Sequence, residues 1–283
     1  MMVRPIVGAG WLAARLPSDE VRVVDVRWYL GDSGRGRREY EVGHIPGAVF
    51  MDLDADLSAP DGPGRHPLPD PEVFAKTLGE YGIANHHLVV AYDDMGGAIA
   101  ARLWWMLRHI GHPAVSVLDG GYRAWTASGF VSDHGITRFR PEVFVPGEIR
   151  DDAVERDALM DQLGQVMLLD ARAEPRYRGD VEPIDDAAGH IPTAVNVPYS
   201  ENLTPEGTFK SPEALAQRYR DLGIEPHTRV VASCGSGVTA CHNLLALHVA
   251  GLGEPVLYPG SWSDWASAGM PIATGSAPGA APE

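Results

Sequence analysis

A stretch that begins at Asp25, DVRWYLGDSGRGRREYEVGHIPGAVFMDL, returns at Asp170 as DARAEPRYRGDVEPIDDAAGHIPTAVNVPY. Within it, GHIPGAV at Gly43 recurs as GHIPTAV at Gly189, an offset of 146. LVVAYDD, around Val89, is matched by RVVASCG around Val230 at an offset of 141. LDGGYRAWTASG is matched by LYPGSWSDWASAG, with Trp125 answering Trp265 at an offset of 140. Three matches in one order and at nearly one spacing predict an internal duplication. The period is that of a domain, not of a solenoid repeat, and two copies fill the 283 residues.

Both copies show the same alternation. VRVVDV, LVVAYD, VSVLDG and RVVAS are short, nearly continuous apolar runs that read as buried strands. Residues 72–81, 98–110, 212–222 and 238–250 carry helical apolar spacing. Strands alternating with helices predict an α/β fold, here a tandem duplication in which each copy is a mainly parallel sheet flanked by helices. Such sheets place their sites at the carboxyl ends of strands. The expected boundaries are an N-terminal domain over 1–132, a linker over 133–148 with no clear period, a C-terminal domain over 149–274, and a mobile Ala/Pro/Gly-rich tail over 275–283.

The formal net charge of −15 argues against nucleic acid or an anionic membrane as partner. No apolar run reaches the roughly 18 residues of a spanning helix, and the first residues lack the apolar length of a signal peptide. Two cysteines make no disulfide scaffold, so a reducing cytoplasm is the expected location.

Those cysteines share VVASCGSGVTACHNLL, residues 230–245. Cys234 stands where the strand pattern ends and Gly235, Ser236 and Gly237 form a turn into a helix. Glycines there let successive N–H groups turn inward as an anion cradle, and the following helix aims its positive end at the same spot. The place suits a reactive thiolate, or one carrying an additional anionic sulfur. Cys241 instead shares a helical stripe with Val238 and Leu245 and reads as core. The seven-residue separation is no C-x-x-C redox pair. Cysteine phosphatases use a similar loop but need an arginine where this chain has Ala240, and no Lys or Arg occurs from Cys234 to Leu245. A dinucleotide fingerprint also fails, for want of its third glycine. The histidines show no ligand spacing that suggests zinc.

These motifs together resemble the two-domain sulfurtransferases of the rhodanese family over nearly the whole chain. CGSGVTA is similar to the active loop of the 3-mercaptopyruvate sulfurtransferases, whereas thiosulfate-preferring relatives carry a basic residue in that loop. DVRWYL, both GHIP motifs, LDGG and PGSW are further marks of the family. The resemblance implies one nucleophile, Cys234, with Asp93 at the corresponding position of the non-catalytic first copy. It implies transfer of sulfur from 3-mercaptopyruvate through a Cys234 persulfide to cyanide or to a thiol acceptor such as thioredoxin or a small thiol, with no metal or organic cofactor. The amides of Gly235, Gly237, Val238 and Thr239 would hold the persulfide. Ser236, His66 in GRHPLPD and Asp54 in MDLDADL would handle protons.

Arg176 in EPRYRG would hold the donor carboxylate and is expected to be the cation facing it. A second arginine of the mercaptopyruvate pattern, after an E-P pair, is replaced here by Ile184, leaving Arg178 as a candidate substitute. Arg172 and Arg178 otherwise read as structural. Trp28, past a strand end, either lines the substrate pocket or packs between domains. The alternatives are a thiosulfate:cyanide sulfurtransferase and a noncatalytic persulfide carrier.

Overall fold

The computed structural model describes residues 3–253 and 255–282. The chain divides into two compact units. The first comprises Met1–Pro60, Leu68–Arg150 and Pro205–Phe209, and the second comprises Asp61–Pro67, Asp151–Thr204 and Lys210–Glu283. Each half of the sequence therefore lends a short segment to the other unit, an exchange that the repeat gave no sign of.

The first unit runs β1 (Ile6–Val7), α1 (Ala9–Ala13), β2 (Val21–Asp25), α2 (Arg35–Val42), β3 (Val49–Phe50), α3 (Pro71–Glu80), β4 (Leu88–Tyr92), α4 (Ala100–His109), β5 (Val115–Leu118) and α5 (Gly121–Ala127). Its sheet order is β1-β5-β4-β2-β3, with every strand pairing parallel. The second unit runs α6 (Arg156–Met160), β6 (Met167–Asp170), α7 (Glu174–Arg178), β7 (Val195–Asn196), a short 3₁₀ turn (Tyr199–Asn202), α8 (Pro212–Arg220), β8 (Val230–Ser233), α9 (Ala240–Val249), β9 (Val256–Leu257) and α10 (Ser261–Ser267). Its order, β7-β6-β8-β9, is parallel throughout and repeats the first unit's β3-β2-β4-β5. The counterpart of β1 is reduced to a parallel bridge between Ala153 and Leu257.

The central strands are buried along almost their whole length, which is why they read as continuous apolar runs. One core gathers Val23, Val90, Tyr40, Phe50 and Trp125, and the other Leu168, Val231, Tyr177, Trp262 and Trp265. The helices expected from spacing are present as α3, α4, α8 and α9. Asp70 caps α3 by accepting from the amides of Glu72 and Val73, and Pro71 opens the helix. Residues 133–148 form no helix and no extended strand. They pack along the first unit, with the Glu142 amide donating to Gly79 O at 2.9 Å. The tail is docked as far as Pro278, whose carbonyl accepts from the Thr193 amide, while His190 Nε2 meets Ala277 O at 3.1 Å. Among the described residues no helix is long and apolar enough to cross a membrane.

The repeated sequence motifs share one structural explanation. At the end of β2, Arg27 forks onto Asp25, with Nη2 to Oδ2 at 2.6 Å, and donates to Gly43 O at 2.7 Å. At the end of β6, Arg172 forks onto Asp170 at 2.7 Å and donates to Gly189 O at 2.6 Å. The histidine after each of these glycines stacks on a tyrosine, Tyr40 with His44 at 4.1 Å and Tyr177 with His190 at 3.8 Å. Each guanidinium also lies over an aromatic ring, Tyr122 in one unit and Trp262 in the other. The Asp-x-Arg motif is thus a buried ion pair that also ties down the Gly-His-Ile-Pro motif through its glycine carbonyl, and His44 and His190 pack inside their units.

Both members of the first fork are buried, at 0% and 3% exposure. Stranding one charge of a buried pair costs about 3–5 kcal/mol, whereas replacing both by apolar groups costs far less. Arg27→Ala is therefore expected to lower the stability of the first unit by about that amount, and Asp25→Leu with Arg27→Leu by clearly less. Hydrogen exchange of the β4 amides reads this unit separately. Equal losses in the two variants would show that packing, not the stranded carboxylate, sets the cost.

Candidate active site

The strand–loop–helix of the first unit holds a carboxyl group of its own, which burial pushes up and the hydrogen bonds of four loop amides pull down. Asp93 follows β4 and is fully buried. Its Oδ1 accepts from the amides of Met95 at 2.8 Å and Gly97 at 2.9 Å, and its Oδ2 from those of Ile99 at 2.7 Å and Ala100 at 2.9 Å. Four backbone donors converge on one carboxylate, as the glycine-rich loop and the helix N-terminus require.

The equivalent loop of the second unit begins at Cys234, after β8, and is one residue shorter before its helix starts at Ala240. Cys234 is 2% exposed and both cysteines are free thiols. The loop is pinned from α10: the amides of Trp262 and Ser263 donate to the carbonyls of Cys234 and Gly235 at 3.0 and 2.9 Å. The Cys234 amide donates to Ser261 Oγ at 3.0 Å, and that hydroxyl donates to Tyr258 O at 2.9 Å. Gly237 has φ +73°, and a Cβ there would lie 2.3 Å from Pro259 O, so only glycine fits. Cys241 is buried on α9 with Sγ 3.4 Å from Gly237 O, as its helical stripe predicts.

The segment 61–67 belongs to this unit and brings two side chains to the loop. His66 is buried, and its Nδ1 lies 2.8 Å from Ser236 Oγ. Arg65 ties its own amide to Ser263 Oγ at 3.1 Å and pairs Nη1 with Asp185 Oδ1. A Cβ built on Gly235 would lie 3.0 Å from Arg65 Nη2 and 3.4 Å from Arg176 Nη1. Two guanidinium groups therefore press on the loop immediately after the cysteine, where glycine alone leaves them room.

Carboxylates hold both groups in place. Arg176 donates from Nε to Glu182 Oε2 at 3.1 Å and from Nη2 to Glu182 Oε1 at 2.7 Å, with Asp185 Oδ2 at 3.4 Å. Glu182 also meets Arg172 Nη1 at 3.4 Å, so the chain Asp170–Arg172–Glu182–Arg176–Asp185–Arg65 is continuous. Burial pushes the Glu182 carboxyl up, but the hydrogen bonds and charge of Arg176 and the amides of Ile184 and Asp185 outweigh it, leaving it below the usual carboxylate range. For Asp185, burial and the like charge of Glu182 win over Arg65 and Arg176, and its carboxyl is pushed up.

Of the residues expected from sequence, Cys234, Gly235, Ser236, Gly237, Val238, Thr239, His66 and Arg176 all fall in the second unit, on or beside this loop. Asp54 and Trp28 belong to the first unit, where Trp28 Nε1 donates to Asp54 Oδ2 at 2.8 Å. Two expectations need correction. Arg176 is not the only cation at the loop. Nor does Arg178 take the place of the arginine missing at 184: it is 41% exposed and turns to Asp180 at 2.9 Å and Glu174 at 3.8 Å. Arg65 stands at the loop instead. Its one sequence signal was adjacency to His66, because a lone arginine in a loop with no periodicity shows nothing of its direction. Ser261 was missed as well, although it lies in the repeated PGSW motif. Among the described residues no cluster of His, Cys, Asp and Glu is arranged to hold a metal ion.

The family model of the rhodanese-like domain matches residues 8–128 and again residues 153–268. A "Probable 3-mercaptopyruvate sulfurtransferase" of Pseudomonas aeruginosa is 47% identical over 278 residues, spanning 95% of this chain and 98% of that protein. A thiosulfate sulfurtransferase of Rattus norvegicus is 36% identical over 277 residues, spanning 94% and 93%. Among solved structures, SseA from Escherichia coli, described as a 3-mercaptopyruvate sulfotransferase, superposes with a TM-score of 0.81 at 33% identity, covering 92% of this chain and all of that one. With two copies of the domain, each built on the same buried Asp–Arg fork and only one carrying a cysteine in its loop, the chain belongs to the rhodanese family as a two-domain sulfurtransferase.

Proposed function

We propose that Cys234 takes sulfur from 3-mercaptopyruvate, holds it as a persulfide, and passes it to a thiol or to cyanide. The observation that carries this reading is the anion cradle of the first unit. In Asp93 the charged oxygens lie two bonds beyond Cβ, and four amides reach them. The outer sulfur of a cysteine persulfide also lies two bonds beyond Cβ. The loop after Cys234 is of the same strand–loop–helix kind, and a persulfide would carry its anionic sulfur at the same reach, which supports a persulfide as the species it stabilises.

In the first half-reaction the Cys234 thiolate attacks the donor sulfur. The S–S bond forms as the C–S bond breaks, and the electron pair leaves on C3 as the enolate of pyruvate. The donor's S–H proton is the one that C3 finally needs, so cysteine thiolate and mercaptopyruvate become cysteine persulfide anion and pyruvate with charge and atoms balanced. Ser236 and His66, 2.8 Å apart, form a relay suited to moving that proton. Asp54 enters the reading through the family pattern. In the second half-reaction cyanide takes the outer sulfur as thiocyanate, or a thiol takes it as its own persulfide, and the Cys234 thiolate returns. The cycle is ping-pong covalent catalysis.

The first test concerns the nucleophile. Cys234→Ser is expected to abolish transfer, while Cys241→Ser keeps most of it. After donor treatment, mass spectrometry of the wild type should find about 32 Da added to the peptide holding Cys234. Substantial activity in Cys234→Ser would end the mechanism.

The second test concerns the proton and the donor. Sulfite leaves thiosulfate without needing a proton, whereas pyruvate formation requires one. His66→Ala and Asp54→Asn are therefore expected to lower kcat with mercaptopyruvate by about a hundredfold or more, and with thiosulfate by much less. kcat/KM for both donors in the wild type and both variants decides it. Equal losses would mean that the residues serve the fold, and a wild type preferring thiosulfate would move the donor assignment to that anion.

A further inference from the structure

We infer that Arg65 is the second cation of the donor site and closes with Arg176 on the carboxylate of a 2-oxo acid. The inference rests on the reading that Cys234 draws sulfur from such a donor. Each guanidinium is held from behind by an acid, Arg176 by Glu182 and Arg65 by Asp185, and each turns one further nitrogen to the same place. The meeting point is set by Gly235: Arg65 Nη2 and Arg176 Nη1 lie 3.0 and 3.4 Å from the position of its absent Cβ. Neither nitrogen has a hydrogen-bond partner among the described residues. Two guanidinium nitrogens with hydrogens to spare, both close over the glycine that follows Cys234, can clamp a small anion.

The charge balance indicates which anion fits. Arg65, Arg172 and Arg176 are matched by Asp170, Glu182 and Asp185 in one chain of contacts. The cluster is neutral overall, so it offers directional donors with little surplus positive charge. A planar monoanionic carboxylate needs donors of that kind. The thiosulfate dianion needs net charge, which the loop, with no Lys or Arg from Cys234 to Leu245, does not add. Arg65 also stands in the neighbourhood of the arginine that the mercaptopyruvate pattern places at 184. Ile184 and Arg65 line one cavity of about 180 Å³ together with Asp185 and Ser263. The guanidinium lost from position 184 is therefore supplied from segment 61–67.

Pyruvate, which carries the carboxylate and ketone but no transferable sulfur, separates binding from chemistry. Its dissociation constant would be measured by calorimetry for the wild type, Arg65→Gln, Arg65→Lys, and Arg65→Gln combined with Ile184→Arg. Loss of one charge-assisted contact should weaken pyruvate about tenfold or more in Arg65→Gln. Arg65→Lys, which keeps the charge but not the fork, should fall between the two, and the arginine restored at 184 should recover part of the loss. With mercaptopyruvate the same variants should raise KM more than they lower kcat, since the contact exists in ground and transition states alike.

Alkylation of Cys234 by neutral iodoacetamide reports on the loop itself. A pyruvate affinity within twofold of wild type in Arg65→Gln overturns the clamp. So does a loss matched by an equal change in alkylation rate, or a loss confined to thiosulfate turnover. Failure of the donor reading looks different: the wild type would bind pyruvate through Arg65 yet form no persulfide from mercaptopyruvate.

Discussion

The fork between Asp170 and Arg172 is where fold and chemistry meet. Both groups are about 2% exposed, so neither ion could remain there without the other. Having neutralised Asp170, the guanidinium still has donors to place. One goes to Gly189 O, which fixes the Gly-His-Ile-Pro turn, and another goes to Glu182. Glu182 then holds Arg176, and Asp185 ties Arg176 to Arg65. A contact whose first task is to end a strand thus sets the direction of both side chains at the cysteine loop. The first unit has the same fork between Asp25 and Arg27, but no described ion pair carries it onward to a second arginine.

The two loops show what duplication made of one design. A turn that converges several amides on one point has to be filled, since buried N–H groups without acceptors are costly. The first unit fills it with the carboxylate of Asp93, permanently and from within. The second unit carries Cys234, whose thiolate is one bond shorter than that carboxylate and gains an equivalent reach only when a second sulfur is attached. On the proposed persulfide reading, a loop of this kind would be better satisfied by the intermediate than by the free thiolate, which is the differential binding that a covalent mechanism needs.

Much of this was legible in the sequence because it rests on periodicity and on local turns. Continuous apolar strands, the helices at α3, α4, α8 and α9, the tandem architecture and the cysteine loop all leave marks within a few residues of one another. Helix α2 left none. Its sequence RGRREYEV buries only Gly36 and Tyr40, too little to make a stripe. What failed to show was direction over long separations. Arg65 meets Asp185 across 120 residues of chain, and the segment that carries it has neither period nor repeat partner. Arg178 had the right neighbourhood in sequence but points to solvent-side acids, Glu174 one helical turn back and Asp180 just past the helix end. A charged side chain declares its partner only in three dimensions, so the place of Arg65 beside the cysteine loop could not be read from the sequence.

The clearest sign of which half was kept for chemistry lies in the backbone. Gly121 and Ser261 occupy equivalent positions at the start of α5 and α10, with φ of +56° and +52°. Glycine adopts that conformation without strain, whereas a residue with a Cβ loses of order 1–3 kcal/mol. The first unit takes the unstrained residue. The second carries serine in the strained conformation, and its hydroxyl accepts the Cys234 N–H while donating to Tyr258 O. A glycine there would relieve the strain but release the backbone of the nucleophile. At Ser261 the strain accompanies a contact that fixes the Cys234 amide, and the first unit, whose loop holds the Asp93 carboxyl, carries glycine at that position.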